Sequence, residues 1–135
     1  MKRYCSLLGL VFALAMAGLA ASEVWARGAP HVVILNSYHR GYAWTDEQSD
    51  AMLRVLVAAE PTAIIDVAYM DWKRHPTPAT LSNNYALLRS RHQGQAVDLV
   101  LTTDDAALTF ALKHRAELFS GAPIVFSGVF ESSAR

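Results

Sequence analysis

Two adjacent aspartates, Asp104 and Asp105, sit where an apolar run ends in the stretch DLVLTTDDAALTF, Asp98 to Phe110. Carboxylates in that setting can act as general acids or bases, ligate a metal ion, accept a phosphoryl group, cap a helix or line the rim of a binding cleft. A glycosidase pair needs two acids about 5–10 Å apart across a substrate. Sequence neighbours at a helix start point in different directions, which disfavours that chemistry. A metal site needs further ligands, and no histidine or acid stands at a spacing that nominates itself. A phosphoacceptor of the response-regulator kind needs a cytoplasmic phosphodonor, whereas this chain reads as exported. Two roles stay open: one aspartate caps the next helix, and the other turns into a cleft to accept hydrogen bonds from a ligand's amine or hydroxyl.

A second cluster is aromatic. Tyr38, Tyr42 and Trp44 fall within one short loop, where such rings either pack over the end of the domain or stack on a flat ligand. His39, His75, His92 and His114 fall in predicted loops or on polar helix faces, which predicts solvated rings. No nucleophile-elbow pattern occurs, and no glycine-rich dinucleotide fingerprint follows the first strand. The one cysteine, Cys5, precedes the N-terminal apolar run, so the domain that follows holds no thiol nucleophile, disulfide or cysteine–metal cluster. Lys plus Arg number 12, as do Asp plus Glu, a balance that lacks the basic face of a nucleic-acid-binding protein.

These groups need a scaffold. HVVILNS (His31 to Ser37) is a continuous apolar run with polar flanks, the mark of a strand buried on both faces. Thr45 and Gln48 have capping-box spacing, which predicts a helix start there. Its buried stripe would be Met52, Leu53, Leu56 and Val57, and it should stop near Glu60, ahead of Pro61. AIIDVAYM (Ala63 to Met70) reads as a second strand. Thr77 then caps a helix opened by Pro78, with Leu81, Tyr85 and Leu88 inward. VDLVLTT is the third strand, DDAALTFALKHRAELF a helix with Leu108, Ala111 and Leu112 inward, and IVFSGVF (Ile124 to Phe130) the fourth strand. The alternation predicts an α/β fold: an open parallel sheet with helices on both faces and right-handed crossovers.

Ligands of such sheets bind outside the carboxyl ends of the strands. Those ends deliver Ser37, Tyr38, His39, Tyr42, Trp44 and Asp46 from the first strand, and Met70, Asp71 and Lys73 from the second. The third supplies Thr102, Thr103, Asp104 and Asp105, the fourth Ser127 and Gly128.

Residues 1–26 read as a secretory signal. A basic MKRYC precedes an uncharged apolar run of 16 residues, Ser6 to Ala21, and small residues follow with cleavage points after Ala21 or Ala26. The run is shorter than the about 20 residues a spanning helix wants; the alternative reading is an uncleaved inner-membrane anchor. Both predict a periplasmic location for the domain at residues 30–135.

ILNSYHRGYAWTDE, YMDWKRHP and DLVLTTDDAALTFALKHRAELFSGAPIVFSGV together resemble the N-terminal lobe of exported ABC-transporter substrate-binding-like domains. Those domains stand alone beside transporter genes or form the sensing part of membrane histidine kinases and diguanylate cyclases. The resemblance spans Val32 to about Val129. It implies one lobe of a type I periplasmic-binding fold, in which two lobes close on a small ligand without catalysis and without a cofactor. By position, Ser37, Tyr38, Trp44, Asp71, Thr103, Asp104, Asp105, Ser127 and Gly128 would face the cleft. The implied partners are a small molecule and a membrane signalling protein or permease. Ser127 stands where members commonly carry a cysteine, and VFESSAR lacks the asparagine or aspartate expected after the last strand. The sequence holds only the first lobe, so a truncated domain is expected. The rival readings are a transporter-associated solute-binding protein, an exported hydrolase using Asp104 or Asp105, and a non-functional fragment.

Overall fold

The structure, a computed structural model, describes residues 28–130, so the expected signal at 1–26 lies outside the described residues. Four strands form: β1 (His31–Asn36), β2 (Ile64–Tyr69), β3 (Leu99–Thr103) and β4 (Ile124–Ser127). Helices α1 (Ala43–Ala59), α2 (Pro78–His92) and α3 (Asp104–Lys113), with the single turn α4 (Arg115–Leu118), connect them. All strand pairs are parallel, in the order β2-β1-β3-β4. Every residue of β1 is buried, as its unbroken apolar run requires of a central strand covered on both sides.

Alternation along the strands divides the core. Val33, Leu35 and Val100 meet Leu88 of α2, Ala107 and Phe110 of α3, and Phe119. Val32, Ile34 and Leu101 turn the other way, against Met52, Leu53 and Leu56 of α1. The domain is therefore α/β with helices on both faces of an all-parallel sheet. At the start of α2, Thr77 accepts the backbone N–H of Thr80 at 3.2 Å and Pro78 takes the first helical position, as its sequence predicts.

Five expectations are corrected. The capping box at Thr45 does not form: α1 begins earlier, after Tyr42, and Thr45 is fully buried. Gly41, at φ 90°, turns its N–H back to the Asp46 carboxylate at 2.9 Å, and this return contact fixes the entry. Val57 and Leu112 are exposed, because each helix sits on the sheet in a slightly different rotation than assumed. On α3 the inward row is Ala107, Phe110 and Ala111, with the alanines allowing a close approach to the strands. The helix expected over 104–119 breaks at His114, whose ring lies 4.8 Å from both Tyr85 and Phe110. His92 is buried rather than solvated, and burial followed by the proximity of His31 lowers its pKa. The fourth strand ends at Ser127, short of Phe130. Among the described residues no helix is long and apolar enough to cross a membrane.

Candidate functional site

From β1 the chain crosses to β2 on one side, and from β3 to β4 on the other. The sheet thus has a switch point between β1 and β3, the place beyond the strand ends where ligands of such sheets generally bind. Asn36 and Thr103 are paired across this point. Both are fully buried, and the Thr103 hydroxyl donates to Asn36 Oδ1 at 3.2 Å. Asn36 Nδ2 in turn donates to the Ala68 carbonyl at 3.2 Å and to Ser49 Oγ at 3.3 Å. One amide so ties β1, β2, β3 and α1 together at the strand ends.

Ser37 performs the cap that the aspartates were expected to supply. Its hydroxyl donates to the Thr103 carbonyl at 2.6 Å and accepts the Ala107 N–H at 2.7 Å, an orphan donor of the first turn of α3. Neither Asp104 nor Asp105 makes a capping bond at that helix start. The reason is the backbone: Asp104 adopts φ 63°, a left-handed conformation that aspartate tolerates better than most residues. This aims its carboxylate toward α1 rather than at its own helix.

There the Trp44 indole N–H donates to Asp104 Oδ1 at 2.9 Å. Asp104 is only 4 % exposed, and its Oδ2 is buried without a hydrogen-bond partner. Burial raises its pKa; the Trp44 bond opposes this and the neighbouring Asp105 charge adds to it. Gly128, at φ 68°, passes so close that a Cβ there would lie 2.9 Å from Asp104 Oδ1 and 3.1 Å from Gln48 Oε1. The Ser127 hydroxyl donates to that same Gln48 Oε1 at 2.6 Å. Glycine is needed here both for its backbone conformation and for the absence of a side chain.

A cationic and aromatic rim adjoins this carboxylate. Tyr38 and Tyr42 pack edge to face at 5.6 Å. Lys73 Nζ donates to the Tyr42 hydroxyl at 2.8 Å and lies 4.1 Å from the centre of that ring, a cation–π arrangement. Burial, then the Asp104 charge, raises the Tyr38 pKa, while Lys73 opposes them. Asp71, also left-handed at φ 58°, is gripped by Arg74 through contacts of 2.6 and 3.0 Å, and that bond lowers its pKa. Asp105 turns elsewhere, into a separate hollow of about 400 Å³ with Trp72, Leu81 and Phe110.

The nine residues expected at the cleft thus divide. Tyr38, Trp44, Asp104 and Gly128 surround one spot at the switch point. Ser37 and Thr103 lie behind it as frame, Ser127 is tied to Gln48, Asp71 to Arg74, and Asp105 faces the second hollow. The sequence reading missed Asn36, Gln48 and Ser49. An asparagine closing an apolar run was the available signal for the first, since a buried amide must find partners. Comparison of the chain with protein-family profiles, with curated proteins and with solved structures gave no match.

Proposed function

We propose that this domain recognises a small molecule outside the inner membrane, without turning it over, and serves as the sensory part of a membrane signalling protein. The observation that carries the reading is Asp104: a buried carboxylate with one oxygen unpartnered, held in a left-handed backbone at the switch point under a half-exposed indole. A buried acceptor that the fold leaves unpaired costs stability, and strained, polar positions of this kind concentrate at binding sites. The ligand best suited offers an N–H or O–H donor to Asp104 and a flat face to Trp44 or Tyr38. Because Oδ2 is covered, a neighbouring side chain must move as the ligand enters. A second lobe of like architecture would supply the opposite wall, and closure would bias the membrane partner through its preference for one state.

A second reading draws on the same carboxylate. A raised pKa suits a general acid, so an exported hydrolase is the alternative. A transporter-associated binding protein shares the recognition chemistry and differs only in the partner.

The test is a thermal-shift screen of amino acids, amines, nucleosides, sugars and aromatic acids, with mass analysis of each hit for product. A hit that is lost in Asp104→Asn and returned unaltered supports recognition. A converted hit establishes the hydrolase, and a hit that binds Asp104→Asn equally well removes Asp104 from the site and ends the proposal. The reading frame beyond Arg135 separates the two binding roles: a second lobe followed by a membrane helix and output domain favours sensing, and a stop after that lobe favours transport.

A further inference from the structure

At the opposite end of the sheet, three polar side chains from distant parts of the chain converge. His31 opens β1, Asp66 lies within β2, and His92 closes α2. Their donor atoms all lie within 4.8 Å of one another. We propose that His31, Asp66 and His92 bind a divalent transition-metal ion of the zinc class.

The spacing fits. Asp66 Oδ2 is 3.0 Å from His31 Nε2 and 3.5 Å from His92 Nε2. Zinc bonds of about 2.0–2.1 Å in tetrahedral geometry place neighbouring donors roughly 3.3 Å apart. Two imidazoles and one carboxylate are a donor set that favours zinc, cobalt, nickel or copper over calcium or magnesium. Three protein ligands leave one position for water.

The hydrogen-bond count also points to a cation. Both ring nitrogens of His31 face oxygen acceptors: Nδ1 lies 3.3 Å from the Ala96 carbonyl, and Nε2 lies against Asp66. A neutral imidazole has one N–H. Spent on Ala96, that N–H leaves the Nε2 lone pair aimed at a carboxylate, a repulsion that a cation between them reverses. A ring N–H held by a backbone carbonyl is also the usual support of a metal-bound imidazole. A proton on Nε2 would satisfy His31 equally, but it does nothing for His92. The His92 side chain is 2 % exposed, and neither of its ring nitrogens has a hydrogen-bond partner. Metal ligation would take the Nε2 lone pairs of both rings at once. Access exists, because the Asp66 side chain is 42 % exposed and a hollow of about 440 Å³ bounded by Arg89, His92 and Ala96 opens alongside.

The full chain, prepared without a histidine tag and stripped with a chelator, is titrated with Co²⁺ and then with Zn²⁺ in competition. The expected result is one equivalent of Co²⁺ with the visible absorption of a four-coordinate ion, displaced by Zn²⁺. Zinc at a hundredfold excess over its Kd should raise Tm by on the order of 10 °C. Asp66→Asn and His92→Gln should each weaken binding at least tenfold, while His75→Ala leaves it unchanged. If His92→Gln fails to fold, the half-exposed Asp66→Asn decides alone. Absence of saturable binding, or binding that survives Asp66→Asn, overturns the proposal.

Discussion

Replacing Asp104 with asparagine should make the domain more stable at neutral pH. The carboxylate is nearly inaccessible, one of its oxygens has no partner, and its single hydrogen bond comes from a neutral indole. Leaving a buried polar group unsatisfied costs about 1–3 kcal/mol, more when it is charged. Asparagine keeps an Oδ1 acceptor for Trp44 and tolerates φ 63° as aspartate does. Its amide nitrogen would still lack a partner, so the gain lies at the lower end of that range, about 1 kcal/mol. The pH dependence carries a definite sign. Asp104 has a folded pKa raised above the ordinary 3.8. The wild-type protein therefore gains stability relative to the variant as pH falls through that raised value, and the gain is complete below 3.8. Paired urea titrations between about pH 4 and pH 8 measure the difference, and 1 kcal/mol corresponds to a midpoint shift of roughly 0.5 M. A variant that is less stable at neutral pH, or a difference that does not change with pH, would refute the account of Asp104 as a charge held at a cost.

Three further substitutions test the frame. Gly128→Ala should destabilise by at least about 1–2 kcal/mol from backbone conformation alone, and its methyl group should displace Asp104, visible as a change in near-UV circular dichroism from Trp44. Ser37→Ala leaves the Ala107 N–H without its acceptor in a buried site; urea unfolding should show a loss of about 1–3 kcal/mol, whereas Ser37→Cys should recover little because sulfur is a weak acceptor. Phe119→Ala empties a fully buried position in the face shared by α2 and α3 and should cost about 3–5 kcal/mol by the same assay.

The fold was legible because its signals are local and repeated. An apolar strand such as β1 and a Thr-Pro helix start at 77–78 carry their meaning within a few residues. Helix rotation was less legible: Leu112 looks like core by composition, yet Ala107 and Ala111 win the buried positions because small side chains let α3 lie close to the sheet. At the site, sequence order brought Tyr38, Trp44, Asp104 and Gly128 to one edge through the strand-end rule. What it could not give is the division of labour, since the left-handed turn at Asp104 hands the cap to Ser37 and the carboxylate to Trp44. His31, Asp66 and His92 escaped notice for a related reason. They meet only through strand register and the end of α2, and no short spacing records such a meeting.

The Trp44 indole has its N–H fixed to a buried carboxylate while half of its surface faces solvent. Indole emission shifts with the polarity and charge at the ring, so this side chain is an internal optical gauge of the switch point. Protonation of Asp104, entry of a donor group or outward swing of the ring would each change its colour or intensity. Trp72 is the other tryptophan among the described residues, and replacing it with phenylalanine isolates most of the signal. Binding at Asp104 could then be followed in real time with no dye attached.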